Sequence, residues 1–119
     1  MSAEGGLSGK TVTLTARKIR GAREPLLSLD FLRTMADCLR CAAHPQRLRI
    51  IEILLNNQHS VDDIATTCGL SQPATSGHLR LMENKGLLKS ERRGREVYYS
   101  VAEPRLKGLI DCLREDHCT

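Results

Sequence analysis

With 119 residues, one Phe, two Tyr and no Trp, the chain has material for one modest aliphatic core, which suits small helices better than a large sheet. A formal charge of +4 and a pI near 9.0 favour an anionic partner. No apolar run reaches the ~20 residues that span a bilayer and no signal-peptide core opens the chain. Its five cysteines lack framework spacing, so a cytoplasmic protein with free thiols is expected, without membrane or structural disulfides.

Residues 1–25 read as a basic, flexible arm. Lys10, Arg17, Lys18, Arg20 and Arg23 outweigh Glu4 and Glu24, and such an arm can add phosphate contacts. Residues 26–119 read as the folded domain. A first helix runs from about Ser28 to Ala43, with Ser28 or Asp30 as its cap and Phe31, Leu32, Met35, Leu39 and Ala42 as its apolar face. His44-Pro45 ends it and starts a second helix to about Asn56. There Leu48, Ile51, Ile53, Leu54 and Leu55 are expected inward, and Arg47, Arg49 and Glu52 outward. Asn56 to Ser60 is a polar loop, and Ser60 can cap a short third helix with Val61, Ile64, Ala65 and Cys68 on its buried stripe.

Ala65, Gly69 and Leu70 have the spacing that two helices crossing at a tight turn require. The glycine takes a backbone angle that other residues resist. Ser71-Gln72-Pro73 then caps and opens a fourth helix, which Gly86 stops. Leu79 and Met82 carry the apolar spacing, while Gln72 to His78 are small or polar and suit close approach to another surface. A DNA recognition helix fits this pattern. Gln72 can pair with an adenine edge, and Arg80 with a guanine or a phosphate. Ser71, Thr75, Ser76 and His78 complete the candidate DNA-binding set on this helix. The ring of His78 and the methyl of Thr75 also suit packing beneath it.

Strand alternation at Val97, Tyr99 and Val101, with Arg93-Gly94 at a tight turn, predicts a two-stranded β-wing. Arg92, Arg93 and Arg95 at its tip can grip phosphates or enter the minor groove. A last helix follows Pro104, with Leu106, Leu109, Ile110 and Leu113 as its stripe. The predicted fold is a mostly α winged helix-turn-helix of about five helices. The first and last helices, each broadly apolar on one side, would pair two copies as a homodimer and place two recognition helices on successive turns of DNA.

The pattern from about Phe31 to Leu113 resembles the ArsR/SmtB winged-helix repressors. The resemblance rests on His44-Pro-Gln-Arg-Leu-Arg-Ile-Ile, Ser71-Gln-Pro-Ala-Thr-Ser-Gly-His-Leu and Arg92-Arg-Gly-Arg-Glu-Val-Tyr-Tyr, in that order and spacing. It implies a homodimer paired through the first and last helices, and an operator-bound repressor that an inducer releases. Thr75 departs from it, since members often carry an aliphatic residue there. The family's sensing sites are matched unevenly. Ser60-Val61-Asp62 stands where the arsenic-type members carry Cys-Val-Cys. Glu103 and Asp116 fall near two positions of the zinc-type site, but Arg105 and Thr119 break it. Cys118 matches the second cysteine of the sulfide sensors, and Glu52 stands where the first should be.

The cysteines also carry a reading of their own. Cys38 and Cys41 lie on the first helix, about 60° apart around it and roughly 4.5 Å along it. Cys112 and Cys118 lie on or just past the last. These four are the candidate metal- or redox-sensing set. Thiolates of this kind bind a soft metal or metalloid (arsenite, zinc or cadmium), or form reversible disulfide or polysulfide bridges. Cys68 reads as core filler. Three alternatives stand beside this one: a repressor without thiol sensing, a winged helix that binds a protein, and a thiol oxidoreductase using Cys38 and Cys41. The last is disfavoured because that pair sits near a helix C-terminus, where the dipole works against a thiolate.

Overall fold

The computed structural model describes residues 24–116, which form five helices and three short strands. Most of the basic arm, up to residue 23, and Cys118 lie outside the described residues. The chain divides into two compact units, Met1–Leu39 and Arg40–Thr119. In the first, Ser28 opens helix α1 (Leu29–Ala42), which continues past the boundary. Its hydroxyl accepts the Phe31 amide proton at 3.2 Å and its carbonyl accepts that of Leu32 at 3.0 Å. Phe31 and Met35 are half-buried, whereas Leu32 and Leu39 of the expected apolar face are exposed.

Within the second unit, the extended backbone of His44 breaks α1 from α2 (Pro45–Asn56). His44 Nδ1 accepts the Gln46 amide proton at 3.1 Å, so the imidazole replaces the usual hydroxyl or carboxylate cap. Helix α2 buries Ile50, Ile51 and Leu54, each worth about 1.5–3 kcal/mol as a buried aliphatic side chain. Ile50, absent from the predicted stripe, is fully buried, and Leu48, Ile53 and Leu55 are only half-buried. Arg47, expected outward, is turned in. Periodicity finds the stripe of a helix but leaves its centre free to rotate by a residue until its neighbours are known.

His59–Ser60, read as loop, forms a two-residue strand β1. The sheet is therefore three-stranded, in the order β1-β3-β2, and not a bare two-stranded wing. Two residues carry no period-2 signal, so only the pairing of His59 with Tyr99 and Ser60 with Tyr98 defines the strand. Buried Ser60 also caps α3 (Val61–Cys68), accepting the Asp63 amide proton at 3.2 Å. Ile64 and Ala65 are buried within α3, with Val61 and Cys68 half-buried.

Both helices of the turn end alike. After α3, Gly69 (φ +68°) lets its own amide reach the Thr66 carbonyl and that of Leu70 reach the Ala65 carbonyl. After α4 (Gln72–Asn84), Gly86 (φ +82°) lets its amide reach Glu83 and that of Leu87 reach Met82. The second closure seats fully buried Leu87 and launches β2 (Leu88–Arg93). Strand β2 pairs antiparallel with β3 (Glu96–Val101) across a turn centred on Gly94-Arg95, one residue later than predicted. Helix α5 (Arg105–Asp116) then buries Leu106 and Ile110 and leaves Leu113 exposed. Among the described residues no helix is long and apolar enough to cross a membrane.

Candidate nucleic-acid interface

Helix α4 has two chemically distinct sides because its apolar residues recur at helical spacing. Thr75, Leu79 and Met82 are fully buried. Gln72, Pro73, Gly77, Arg80 and Asn84 are exposed on the other side, with Ser76 half-buried at its edge. Exposed Ser71 caps the helix, its hydroxyl accepting the Ala74 amide proton at 3.2 Å. A Cβ added at Gly77 would meet nothing within 4 Å, so the glycine leaves a shallow gap in the middle of the exposed face.

Two residues of the predicted contact set do not belong to that face. Thr75 is fully buried and its hydroxyl donates to the Ser71 carbonyl at 2.9 Å, so it packs beneath the helix. It takes the inward place of an aliphatic residue because the local bond satisfies its one polar group. His78 is half-buried and turned toward α2. Its Nδ1 accepts from Arg47 Nε at 3.2 Å, and its ring lies 4.9 Å from that of His44. Burial, then His44, then Arg47 hold its pKa below the ordinary histidine value.

The wing is fastened to the recognition helix through Glu83. Its carboxylate accepts from Ser90 at 2.7 Å and from the Tyr99 hydroxyl at 3.4 Å. Burial, then Glu83, raises the Tyr99 pKa. By the pairing register, Arg92 shares a sheet face with Ser90, Val97 and Tyr99, while Arg93 lies on the other with Glu91 and Tyr98. Arg92 and Arg95 are exposed. Arg93 is held locally. It donates to Gln58 at 2.9 Å and to Glu91 at 3.0 Å, and its guanidinium carbon stands 4.7 Å from the Tyr98 ring centroid. The three wing arginines are thus unequal, with two projecting and one bracing the hairpin.

The predicted sensing cysteines are spread over several environments. Cys38 is half-buried, Cys41 is buried and Cys112 is exposed. Burial pushes the Cys68 thiol up despite the nearby Arg49, which suits core filler and not a nucleophile. Among the described residues no three His, Cys, Asp or Glu side chains converge as a metal cage. Glu52 accepts from Arg49 and pairs with Arg114 at 3.3 Å, on the rim of a cleft of about 570 Å³ lined also by Leu48, Ile110 and Leu113.

Sequence reasoning placed Arg47 outward and gave no partner to Glu83 or Gln58. Charged and amide side chains on helix surfaces and loops carry no signal of their own partners. The hint for Arg47 was its place three residues after His44, on one helix face with it.

The geometry agrees with known proteins. The profile of the bacterial regulatory protein, arsR family, matches residues 44–90, from the His44 cap into the wing. A transcriptional repressor SmtB homolog of Synechocystis is 34% identical over 92 residues, covering 77% of this chain and 70% of that protein. The structure of reduced HlyU from Vibrio cholerae superposes with a TM-score of 0.70 at 28% identity, covering 76% of this chain and 95% of that one. The homodimeric winged helix-turn-helix DNA-binding domain from Mycobacterium bovis gives 0.67 at 27% identity, over 76% and 86%. The architecture is a winged helix-turn-helix, and its relatives are regulators and not enzymes. The chain belongs to the ArsR family of bacterial regulatory proteins.

Proposed function

We propose that this protein is a cytoplasmic transcriptional repressor that binds operator DNA as a homodimer and leaves it when an inducer reacts with its thiols. The observation that carries the DNA reading is the exposed side of α4, small and polar from Gln72 to Gly77, beside the projecting Arg92 and Arg95. Gln72, Ser76 and Arg80 face the major groove, and Ser71, Arg92 and Arg95 meet phosphates. The homodimeric relative supports the pairing of two copies, as do the exposed Leu32 and Leu39 of α1 and Leu113 of α5. Spacing of the two copies by one helical turn would then set the half-sites of the operator.

Support for sensing comes from exposed Cys112, from Cys38 and Cys41 on α1 and from Cys118 at the chain end. The inducer is a soft metal, a metalloid or a reactive sulfur species. Fluorescence anisotropy on duplex DNA from upstream of the protein's own gene tests both parts. Reduced protein is expected to bind, with an affinity that falls as salt rises. Arsenite, a thiophilic metal or an organic polysulfide is then added in parallel. One of them should release the DNA, and Cys112→Ser or Cys118→Ser should resist that release. Binding that persists with all three agents would discard the thiol reading and leave the repressor. Absence of salt-dependent binding would discard the repressor.

A further inference from the structure

The recognition helix is held from behind by one guanidinium. Arg47 lies in the first turn of α2, half-buried. Its Nη1 donates to the Cys41 carbonyl at 3.0 Å, and its Nε donates to His78 Nδ1 at 3.2 Å. Cys41 is in the last turn of α1, where helix carbonyls lack intrahelical partners. His78 is on α4, one residue before fully buried Leu79. A single planar group therefore spans from the end of α1 to the middle of α4, and it fixes the separation of its two acceptors.

We propose that Arg47 is the positioning residue of the recognition helix, and that protonation of His78 releases it. The acceptor at the α4 end is an imidazole nitrogen, so the tie holds only while that nitrogen is bare. Neutral His78 must carry its proton on Nε2. A proton on Nδ1 removes the acceptor and sets a cation against Arg47. The groups facing His78 are His44, from the α1–α2 junction, and Arg47, from α2. Both are basic, and both oppose its charging. His44 itself uses Nδ1 as an acceptor, for the Gln46 amide. Acid therefore loosens the seat of α4 at the Arg47–His78 contact.

This inference rests on the DNA-binding reading for its functional consequence, but the tie itself is measurable without DNA. Long-range ¹H–¹⁵N correlation spectra of the full chain at pH 7.5 should show His78 as the Nε2–H tautomer. An Nδ1–H tautomer overturns the proposal. On upstream duplex DNA, Arg47→Met should weaken binding about tenfold, as expected for a lost charge-assisted hydrogen bond, with an unchanged salt slope. A slope reduced by about one would instead make Arg47 a phosphate contact and overturn the proposal. Should the Met variant fail to fold, Arg47→Lys takes its place, with α4 amide shifts as the readout. Unmoved α4 shifts count against the tie. Wild-type binding should weaken between pH 7.5 and 5.5, whereas His78→Asn, which keeps an acceptor near Nδ1 but does not titrate, should lose that trend. Parallel profiles for the two proteins refute the switch. If wild type binds no duplex at any salt, the repressor reading fails, and the tautomer alone decides the tie.

Discussion

Ser90 Oγ donates a 2.7 Å hydrogen bond to Glu83 Oε2, joining the first strand of the wing to the last turn of the recognition helix. The same carboxylate accepts from Tyr99 on the middle strand. One residue on α4 therefore sets where both wing strands lie, and with them the projecting Arg92. Glu83→Ala should cost about 1–2 kcal/mol, the scale of two partly exposed hydrogen bonds. It should also bring the Tyr99 ionisation down toward the ordinary tyrosine value without reaching it, because burial raises that pKa more than Glu83 does. Denaturant unfolding and an alkaline ultraviolet titration read the two effects. An unmoved Tyr99 titration would show that the carboxylate does not face the ring.

Gly77 separates stability from DNA approach. It lies inside α4, exposed, with open space where a Cβ would sit. Gly77→Ala should stabilise the fold by about 0.5–1 kcal/mol through helix propensity alone. Because the glycine sits mid-face, the same methyl should weaken DNA binding. Thr75→Val makes the opposite case. The Ser71 carbonyl keeps the Thr75 amide proton at 3.0 Å, so stability should change by less than about 1 kcal/mol and DNA affinity should hold. Thermal unfolding and anisotropy together check both. Loss of affinity in the Thr75 variant would restore it to the contact set.

The wing arginines should divide by salt dependence. Replacing Arg92 and Arg95 by Ala should reduce the slope of log K against log salt by roughly 1.8, the release of two counterions. Arg93→Ala should leave that slope nearly unchanged, since its guanidinium is occupied by Gln58, Glu91 and Tyr98. A slope reduced by roughly 0.9 in Arg93→Ala would place all three arginines on phosphates and remove the bracing role of Arg93.

Stability should also fall in mild acid. The folded-state pKa of His78 lies below its unfolded value near 6.5. Between the two, the unfolded chain binds more protons, so unfolding free energy rises with pH across that window. The stability is therefore fully present above about pH 6.5 and is lost as pH falls toward the lowered folded-state value, below which the loss stops growing. Urea midpoints taken across this range should drop for wild type and stay flatter for His78→Asn. A wild-type midpoint that is level from pH 7.5 to 5 would remove the histidine contribution.

Caps, turns and stripes were legible in the chain because each is a local event. Ser28, Ser60 and Ser71 cap the helices they precede, and Gly69 and Gly86 take the positive φ that ends α3 and α4. Such features depend on a few consecutive residues, so a reader of the chain meets the whole interaction at once. The order of motifs likewise carried the fold and the family. The tertiary structure alone decided the partners of long side chains. It drew Arg47 under α4, gave Glu83 to the wing, held Arg93 against Gln58, and turned Thr75 and His78 away from the exposed side. It also made a strand of His59–Ser60, which has no pattern of its own. A flexible arginine or glutamate samples many directions, and its partners here lie 7, 31 and 35 residues along the chain, where only packing brings them within reach.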